Sequence, residues 1–305
     1  MNEDDLIRRL REQLGPSSPI GDDAAILSFP GLAGEIAVTV DSQISGVHFV
    51  PGLDPAHVAR RLLAVNLSDL AAMGAEPGHA FLALSAPSGF DHDRFFGAFV
   101  EACRLWNVTL AGGDLSRCDQ VVATLTLIGT KPEGGRWLRR SDAKSGHDLW
   151  LGGTVGESAA GRMLIARGAP EDHPAVRRHL LPEPQLELGK WLGRQSAGAA
   201  MDVSDGVAID LHRLCRESGI GALIDADALP FADGFLDLCA TLSVDPYELA
   251  LAGGEDYVLL FTLPPGAQPP GCRKIGTMLS EKKIEWIREG RRRKLPASGW
   301  DHLKT

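Results

Sequence analysis

Residues 57–73 read HVARRLLAVNLSDLAAM, and this stretch with its flanking strands decides the fold class. Val58, Leu62 and Val65 recur at the i, i+4 and i+7 positions, which predicts a helix with one apolar stripe. Asp69 is the next member of that stripe. A carboxylate that faces inward is unfavourable unless a partner or a metal meets it. We therefore treat Asp69 as a candidate functional residue.

Apolar runs predict strands on both sides of this helix. Residues 35–40 (EIAVTV) form one such run, which ends at Asp41. Further strands are predicted at residues 80–85, 108–111, 121–130, 147–153 and 257–263. Further helices are predicted up to residue 14, at 91–106, at 158–167, in a stretch ending at 191, and at 207–218. Strands and helices mixed in both halves indicate an α/β or α+β architecture.

A polar stretch bounded by glycine, RWLRRSDAKSG at residues 136–146, separates the two halves of the chain. It predicts an N-terminal domain of residues 1–142 and a C-terminal domain of residues 143–305. Each half carries a strand that leads into an Asp turn, and a Gly-Gly-(Glu)-Asp turn. This hints at related halves, although the spacings of the turns differ. The basic stretch of residues 288–294 is predicted to be a solvated turn.

The bulk composition excludes several classes of protein. The chain has 305 residues, of which 44% are hydrophobic and 23% charged, as in ordinary globular proteins. Its net charge of -9 disfavours nucleic acid or an anionic membrane as a partner. No apolar run approaches the roughly 20 residues of a membrane span, and no targeting segment is recognisable. Five scattered cysteines without a CxxC motif predict reduced, buried thiols, and we expect a cytoplasmic protein.

Aspartates in small-residue turns are the main chemical signal. They occur in GDDAA (21–25), VDS (40–42), NLSD (66–69), GGD (112–114), MDVSDG (201–206) and GGED (253–256). Between Arg11 and Arg60 there is no Lys or Arg that could pair with such acids. Carboxylates gathered without basic partners are usually met by protons or by hard divalent cations. The set therefore predicts a site with several Mg²⁺ ions, a kind of site that most often handles nucleotide phosphates.

Each turn taken alone has a plainer interpretation. The pair Asp22 and Asp23 could cap a helix or a turn. Asp202 and Asp205, which flank Ser204, could belong to an N-cap, a role that is compatible with metal binding. The chain has no P-loop motif, and we interpret the glycine-rich residues 152–156 as a tight turn. The prediction of a metal site therefore depends on the whole set of acids and not on any single turn.

Other candidates are weaker as single residues. His48 is of a type that more often makes a structural hydrogen bond than acts in catalysis. Arg117 and the pair Arg139–Arg140 are candidate phosphate ligands, although exposed arginines are usually plain surface residues. Trp300 could pack against the protein or stack on a flat substrate.

The motifs IGDDAAIL, VDSQISGVHF, NLSDLAAMGAEP, AGGDLSR, MDVSDG, LAGGEDYVLLF and SGWDHL occur in this order. Together they resemble the thiamine-monophosphate kinase family from about Ile20 to Leu303. GDDAA and GGD also occur in the wider superfamily of aminoimidazole ribonucleotide synthetase. The resemblance implies phosphorylation of thiamine monophosphate by ATP, by direct transfer with several Mg²⁺ ions. It further implies two α/β domains and a homodimer whose N-terminal domains form a shared barrel.

The resemblance also implies roles for individual residues. Metal-binding positions match Asp23, Thr39, Val40, Asp41, Asp69, Asp114, Asp202 and Asp205. ATP-binding positions match Gly113, Asp114, Arg140 and Ser204, and positions near the thiamine substrate match His48, Glu255 and Trp300. Asp41, Asp202 and Arg140 are the residues expected to carry catalysis. The N-terminal domain would bind metal and ATP and dimerise, and the C-terminal domain would bind the substrate.

Some residues depart from the family pattern. Val40 stands where a Thr is usual, so a metal contact there would use the backbone carbonyl. Ser45, Gln185 and Leu115-Ser116 also differ from the expected residues. Two rival functions stay open at this level: another ATP-dependent enzyme of the superfamily, and a non-catalytic protein that binds Mg²⁺-nucleotide. Residues 167–181 are a candidate segment for closing over the substrate.

Overall fold

The computed structural model describes residues 2–15, 17–31, 34–195, 198–301 and 303. It divides the chain into two compact units. The five-stranded unit comprises Ile26–Trp137 and Leu180–Arg194, and the seven-stranded unit comprises Met1–Ala25, Leu138–His179 and Gln195–Thr305. Neither unit is one continuous segment. The division of roles between residues 1–142 and 143–305 stays a prediction.

The elements alternate along the chain. The helices in these ranges are α1 (Glu3–Leu14), α2 (Pro55–Ala72), α3 (His92–Leu105), α4 (Glu157–Ala166), α5 (Pro174–Leu180), α6 (Leu186–Gly193), α7 (Val207–Ser218), α8 (Phe235–Leu242) and α9 (Pro246–Ala252). The strands are β1 (Ala25–Ser28), β2 (Glu35–Ile44), β3 (Glu76–Ala86), β4 (Thr109–Arg117), β5 (Val122–Thr130), β6 (Asp148–Leu151), β7 (Ala200–Asp202), β8 (Gly221–Asp225), β9 (Leu259–Leu263), β10 (Arg273–Leu279), β11 (Ile284–Arg288) and β12 (Arg291–Lys294). The predicted mixed α/β class is confirmed.

The five-stranded sheet has the order β1-β2-β5-β3-β4. β5 is antiparallel to β2 and β3, and β3 is parallel to β4. Alternate residues point to opposite faces of a strand, and those on one face, such as Leu125 and Leu127, are fully buried. On the other face, Val40, Thr126 and Phe81 lie side by side in register. Val40 is 60% exposed and Phe81 is 44% exposed. We call the side of the sheet that carries Val40, Thr126 and Phe81 the open face.

Helix α2 forms the core of the five-stranded unit. The side chain of Asp54 caps its first turn, and Pro55 occupies a first-turn position that needs no backbone N–H donor. The helix is buried along most of its length and contacts α3, α6 and strands β2, β3 and β5. At Gly189 of α6, an added Cβ would lie 2.1 Å from the carbonyl oxygen of Ala71, so only glycine permits this approach. The predicted helix at residues 57–73 is confirmed.

The seven-stranded sheet has the order β12-β11-β8-β10-β6-β9-β7. Its pairs are antiparallel except for β8 and β11, which are parallel. The central strands and α7 share an aliphatic core, which includes Leu149, Leu211 and Leu260, all fully buried. Helix α7 has the predicted bounds, and it ends at Gly219, whose left-handed conformation forms the C-cap.

The prediction of a solvated turn at residues 288–294 was wrong. The basic residues 288–294 form the β11–β12 hairpin, not only a turn. Arg288 pairs with Arg291 at its end, and Glu289 and Gly290 both have positive φ values, as tight hairpin turns require. The strand Arg291–Lys294 is exposed throughout, so the basic side chains can stay solvated while the backbone pairs. Side-chain charge alone therefore did not reveal the strand.

Three further expectations concern the whole chain. Both sheets are open within this single chain, so a barrel would need a second copy. All five cysteines are free thiols. Cys103, Cys215 and Cys239 are buried as predicted, whereas Cys118 is exposed and Cys272 is partly exposed. Among the helices that the structure describes, none has the length and hydropathy that crossing a bilayer requires.

Candidate active site

In the five-stranded unit, strand β2 and helix α2 bring predicted site residues together. The hydroxyl of Thr39 donates a hydrogen bond to Asp69 Oδ2 at 2.5 Å, and the backbone N–H of Asp41 donates to Asn66 Oδ1 at 3.1 Å. Asn66 and Asp69 are three residues apart on α2, so both face the strand. The inward carboxylate of Asp69 thus has a hydroxyl partner, which its position in the apolar stripe required.

Val40 lies between Thr39 and Asp41 and points to the opposite face of the sheet. It is 60% exposed, whereas Thr39 is buried. Its apolar side chain has no group that could bind a cation. A metal contact through its carbonyl oxygen stays a prediction.

Gly113 and Asp114 were predicted in a turn, but they lie inside the exposed strand β4, which continues to Arg117. An added Cβ at Gly113 would stand 1.8 Å from the carbonyl oxygen of Leu82, so the backbones of β3 and β4 touch here. Asp114 on β4 pairs with Ala83 on β3. Across β5, Asp41 on β2 lies in the same row of paired residues as Leu82 on β3, the residue before Ala83. Adjacent rows point to opposite faces of a sheet, so the register separates Asp114 from Asp41.

His48 lies in the turn that follows β2. The backbone N–H of Ile44 donates to His48 Nδ1 at 3.1 Å, so in the neutral ring Nε2 carries the proton. Gly46 enters this turn with φ of +78°, a conformation that glycine adopts without a steric penalty. The structural hydrogen bond of His48 is therefore present, and it leaves Nε2 as the donor for any further role.

In the seven-stranded unit, Arg140 holds the Asp22–Asp23 pair. Its Nε and Nη2 donate to the two carboxylate oxygens of Asp23 at 3.1 and 2.8 Å, and its backbone N–H donates to Asp22 Oδ1 at 2.9 Å. Burial works against the charge of Arg140, but Asp23 and more distant acids hold the pKa above its usual value. Burial raises the pKa of Asp22. The expectation that these acids lack a basic partner was wrong, because the partner comes from a distant part of the chain.

A second carboxylate approaches Asp23. Asp202, at the end of β7, is 3% exposed, and one of its oxygens lies within 4.8 Å of an oxygen of Asp23. Two carboxylates this close repel each other unless a cation lies near them. Arg140 supplies one positive charge, and the oxygen donors suit a hard divalent cation. Asp23, rather than Asp22, is therefore the member of the pair with a geometry suited to metal binding.

The DVSDG turn is held by two residues that sequence reasoning missed. The backbone N–H groups of Asp205 and Gly206 donate to Asp210 Oδ2, each at 3.1 Å. Arg213 Nη1 donates to Asp205 Oδ2 at 2.5 Å and to Asp210 Oδ1 at 2.8 Å, and its Nε reaches Asp4. Burial raises the pKa of Asp210 to about 7; the charge of Asp205 adds to this effect and Arg213 opposes it. The sequence offered one signal for Asp210, because it is an acid in the first turn of the predicted helix at residues 207–218.

Backbone hydrogen bonds join four predicted site residues of this unit in two pairs. The N–H of Glu255 donates to the carbonyl of Ser204 at 2.6 Å, and the N–H of Trp300 donates to the carbonyl of Asp205 at 2.9 Å. Glu255 has φ of +62°, which is uncommon for a residue other than glycine, and Gly254 before it has φ of +69°. Such backbone conformations persist where the surroundings enforce them, and they cluster at functional sites.

Trp300 is 42% exposed and has a cation on one side. The guanidinium of Arg162 lies over its ring, 5.6 Å from the centroid. At the preceding Gly299, an added Cβ would stand 2.3 Å from the Ile209 side chain, which fixes the path of the chain. The indole is therefore anchored through its backbone and keeps ring surface available for stacking.

Comparison with known proteins gives a consistent result. Residues 21–130 match the family model described as AIR synthase related protein, N-terminal domain. The thiamine-monophosphate kinase of Salmonella typhimurium is 36% identical over 99% of this chain and 96% of its own length. That of Escherichia coli K12 is 37% identical over 97% of this chain and 94% of its own length.

Solved structures extend the comparison to three dimensions. A structure of AaThiL complexed with AMPPCP and TMP superposes with a TM-score of 0.90 at 29% identity, covering 99% of this chain and 97% of the other. Structures of the hydrogenase maturation protein HypE, at about 20% identity and TM-scores near 0.7, share the fold alone. Because identity above 30% extends over nearly the full length of its relatives, this chain belongs to the thiamine-monophosphate kinase family.

Proposed function

We propose that this protein transfers the γ-phosphoryl group of ATP to thiamine monophosphate and produces thiamine diphosphate. The observation that carries the proposal is the TM-score of 0.90 over 99% of the chain to a protein solved with AMPPCP and TMP. The acids and the arginine that the family resemblance assigns to metal and nucleotide are present. No observation on the described residues favours another acceptor.

The chemistry of the reaction explains a site rich in carboxylates. The nucleophile is a phosphate oxygen of the acceptor, which is largely ionised near neutral pH because its second pKa is about 6. No general base is needed. The barrier is the repulsion between two anionic groups, so positioning and charge neutralisation decide the rate. This removes the need for a catalytic His or Lys and accounts for the acidic turns.

The acidic groups of each unit suit Mg²⁺. Asp23 and Asp202 offer oxygens within 4.8 Å of each other, with Asp205 in the neighbouring turn. Thr39, Val40, Asp41, Asp69 and Asp114 are the candidates of the five-stranded unit. Bound Mg²⁺ would neutralise phosphate charge. Asp41 and Asp202 would hold these ions, and Arg140 would add a fixed positive charge.

Nucleotide and acceptor would be bound by the remaining candidates. For ATP these are Gly113, Asp114, Arg140 and Ser204. For thiamine monophosphate they are His48, Glu255 and Trp300. The exposed indole face suits stacking on a flat, cationic ring, and a carboxylate suits ring amino groups.

We also propose a homodimer, formed through the five-stranded unit. Its open face exposes Val40 and Phe81, and the adjacent strand β4 is exposed along its whole length. An uncovered apolar sheet face beside an exposed edge strand favours pairing with a second copy. Two such sheets could close into the shared barrel. We place the reaction in the cytoplasm, which suits the five free thiols.

A coupled assay with purified protein, MgATP and thiamine monophosphate tests the function. We expect thiamine diphosphate and ADP in equal amounts, with no product from thiamine or from aminoimidazole precursors. Asp202→Asn should abolish turnover and keep the fold, because the exchange is nearly isosteric but removes a carboxylate charge. The exposed Asp93→Asn is the matched control. MgATP binding without product would refute the proposal and direct the search to another acceptor.

A measurement that does not require turnover tests whether Asp202 binds Mg²⁺. Mg²⁺ should raise the melting temperature of the unmodified protein in the presence of a non-hydrolysable ATP analogue. Asp202→Asn should weaken this shift, whereas Asp93→Asn should not. An unchanged shift in Asp202→Asn would remove Asp202 from the metal ligands.

A further inference from the structure

A buried histidine stands behind the carboxylate of Glu255. His179, near the end of α5, places Nδ1 3.5 Å from Glu255 Oε2. The same Nδ1 lies 3.1 Å from the hydroxyl of Ser158 in α4. The side chain of His179 is 5% exposed and that of Glu255 is 20% exposed. The histidine is thus enclosed, while part of the carboxylate stays accessible.

Arg178 and Asp256, the chain neighbours of His179 and Glu255, are joined as well. Arg178 Nη2 donates to the carbonyl oxygen of Asp256 at 2.9 Å. The carboxylate of Asp256 accepts from the backbone N–H of Gly156 at 2.9 Å and of Ser158 at 3.4 Å. The GGED turn is therefore attached both to α5 and to the start of α4.

Helices α4 and α5 are in close contact. An added Cβ at Gly161 would lie 2.0 Å from the carbonyl oxygen of Ala175, so the helix backbones touch. The contact leaves little room for α5 to shift against α4. His179 therefore occupies a fixed place relative to Ser158.

The backbone of Glu255 is held in an unusual conformation. Its φ of +62° costs energy for a residue with a side chain, and its N–H is already held by Ser204. With the backbone fixed, the remaining freedom of Glu255 is in its side chain. Contacts to the carboxylate oxygens decide which oxygen faces the accessible side.

We propose that His179 is a positioning residue that, together with Ser158, orients the Glu255 carboxylate toward the amino or cationic part of the acceptor. This inference rests on the proposed role of Glu255 in binding the acceptor. His179 acts through Glu255 and touches neither phosphate. Its removal should therefore affect the acceptor and leave ATP binding unchanged.

The two nitrogens of the ring allow a sharp test. The contacts are made by Nδ1, whose place the side-chain amide nitrogen of an asparagine can take. The amide nitrogen of a glutamine reaches the place of Nε2 instead. His179→Asn should thus restore function lost in His179→Ala, and His179→Gln should restore less. A merely space-filling role would favour the larger glutamine.

The experiment measures KM for thiamine monophosphate and for ATP in His179→Ala, His179→Asn, His179→Gln and Ser158→Ala. Arg177→Ala, at an exposed position of the same helix, is the control. We expect His179→Ala to raise KM for thiamine monophosphate roughly tenfold, because the Glu255 carboxylate loses the polar neighbour that orients it. KM for ATP should change by less than about twofold. Ser158→Ala should give a smaller change in the same direction.

Equal rises of both KM values, or no advantage of asparagine over glutamine, would overturn the proposal. If His179→Ala does not fold, as circular dichroism would reveal, His179→Asn and Ser158→Ala decide the matter by the same criteria. Inactivity of the unmodified protein toward thiamine monophosphate would refute the proposed function instead. Binding of thiamine monophosphate without ATP, measured by calorimetry, should weaken in His179→Ala alongside the rise in KM.

Discussion

Arg140 and Asp23 form a two-point ion pair, with Nε–Oδ2 at 3.1 Å and Nη2–Oδ1 at 2.8 Å, although they are 117 residues apart in sequence. The side chain of Asp23 is 1% exposed and that of Arg140 is 17% exposed. The pair places a positive charge beside Asp202, whose oxygen approaches Asp23. Two carboxylates beside one guanidinium keep a net negative charge, which suits the binding of a hard divalent cation.

Replacing Arg140 tests this relationship. Arg140→Gln removes a fixed positive charge from the proposed phosphate site, and we expect kcat/KM to fall roughly 10²- to 10³-fold. It also leaves the Asp23 carboxylate buried without its cation, which should cost roughly 3 to 5 kcal/mol of stability. Arg140→Lys should lose less of both, since it keeps the charge but not the two-point geometry.

Steady-state kinetics and denaturant unfolding measure the two effects. Arg139→Gln is the matched control, because Arg139 is 44% exposed and lies 3.5 Å from Asp22. Its loss should change stability by less than about 1 kcal/mol. An Arg140→Gln enzyme with normal kcat/KM would show that this arginine is structural.

Two adjacent glycines of β4 should respond differently to alanine. At Gly113 the added Cβ would lie 1.8 Å from the carbonyl oxygen of Leu82, a backbone atom that cannot move away. Gly113→Ala should therefore lower the melting temperature by several degrees, about 4 °C or more. At Gly112 the nearest atom is a ring carbon of Phe81 at 3.5 Å, an ordinary contact.

Calorimetry on Gly113→Ala and Gly112→Ala measures the two melting temperatures. Gly112→Ala should melt within about 2 °C of the unmodified protein. Equal melting temperatures in the two variants would contradict the close contact between Gly113 and the Leu82 carbonyl oxygen.

Asp256 should make stability depend on pH. Burial raises the pKa of Asp256 to about 7, although the N–H of Gly156 opposes this. An unfolded aspartate titrates near pH 3.9, so between about pH 4 and 7 the folded state holds this proton more tightly. Its contribution to the free energy of unfolding therefore falls as pH rises through this range, by at most about 1.4 kcal/mol per pH unit.

Asp256→Asn removes this titration. Urea unfolding at pH 5 and pH 7 should give a smaller loss of stability in the variant than in the unmodified protein. Asp233→Asn, at an exposed position, serves as the control and should keep the original difference. An identical pH dependence in Asp256→Asn would show that Asp256 is ionised throughout.

The open face of the five-stranded sheet tests the proposed dimer. Phe81→Glu places a charge in the exposed row that Phe81 forms with Thr126 and Val40. We expect it to shift the mass measured by light scattering from dimer to monomer, because a buried unpaired charge opposes association. Leu105→Glu, at a 73% exposed position at the end of α3, should leave the dimer intact. A monomeric unmodified protein would refute the dimer.

Elements with a strong pattern could be predicted from the sequence. Helix α7 has the predicted bounds, and α2 was recognised from the spacing of Val58, Leu62 and Val65. Strand β5 was predicted within one residue because it alternates over its whole length. Strands β8, β10 and β11 were missed. They are five to seven residues long, and their side chains do not alternate cleanly between buried and exposed.

The sequence by itself determined the class of fold, the set of acidic residues and the resemblance to a kinase family. Only the tertiary structure decided which charges meet. Arg140 reaches Asp23, and Arg213 reaches Asp205, so acids that looked unpartnered along the chain are partnered in space. The physical reason is that periodicity and turn chemistry act between neighbouring residues. Ion pairs, close backbone contacts and the support of Glu255 by His179 join residues that folding alone brings together.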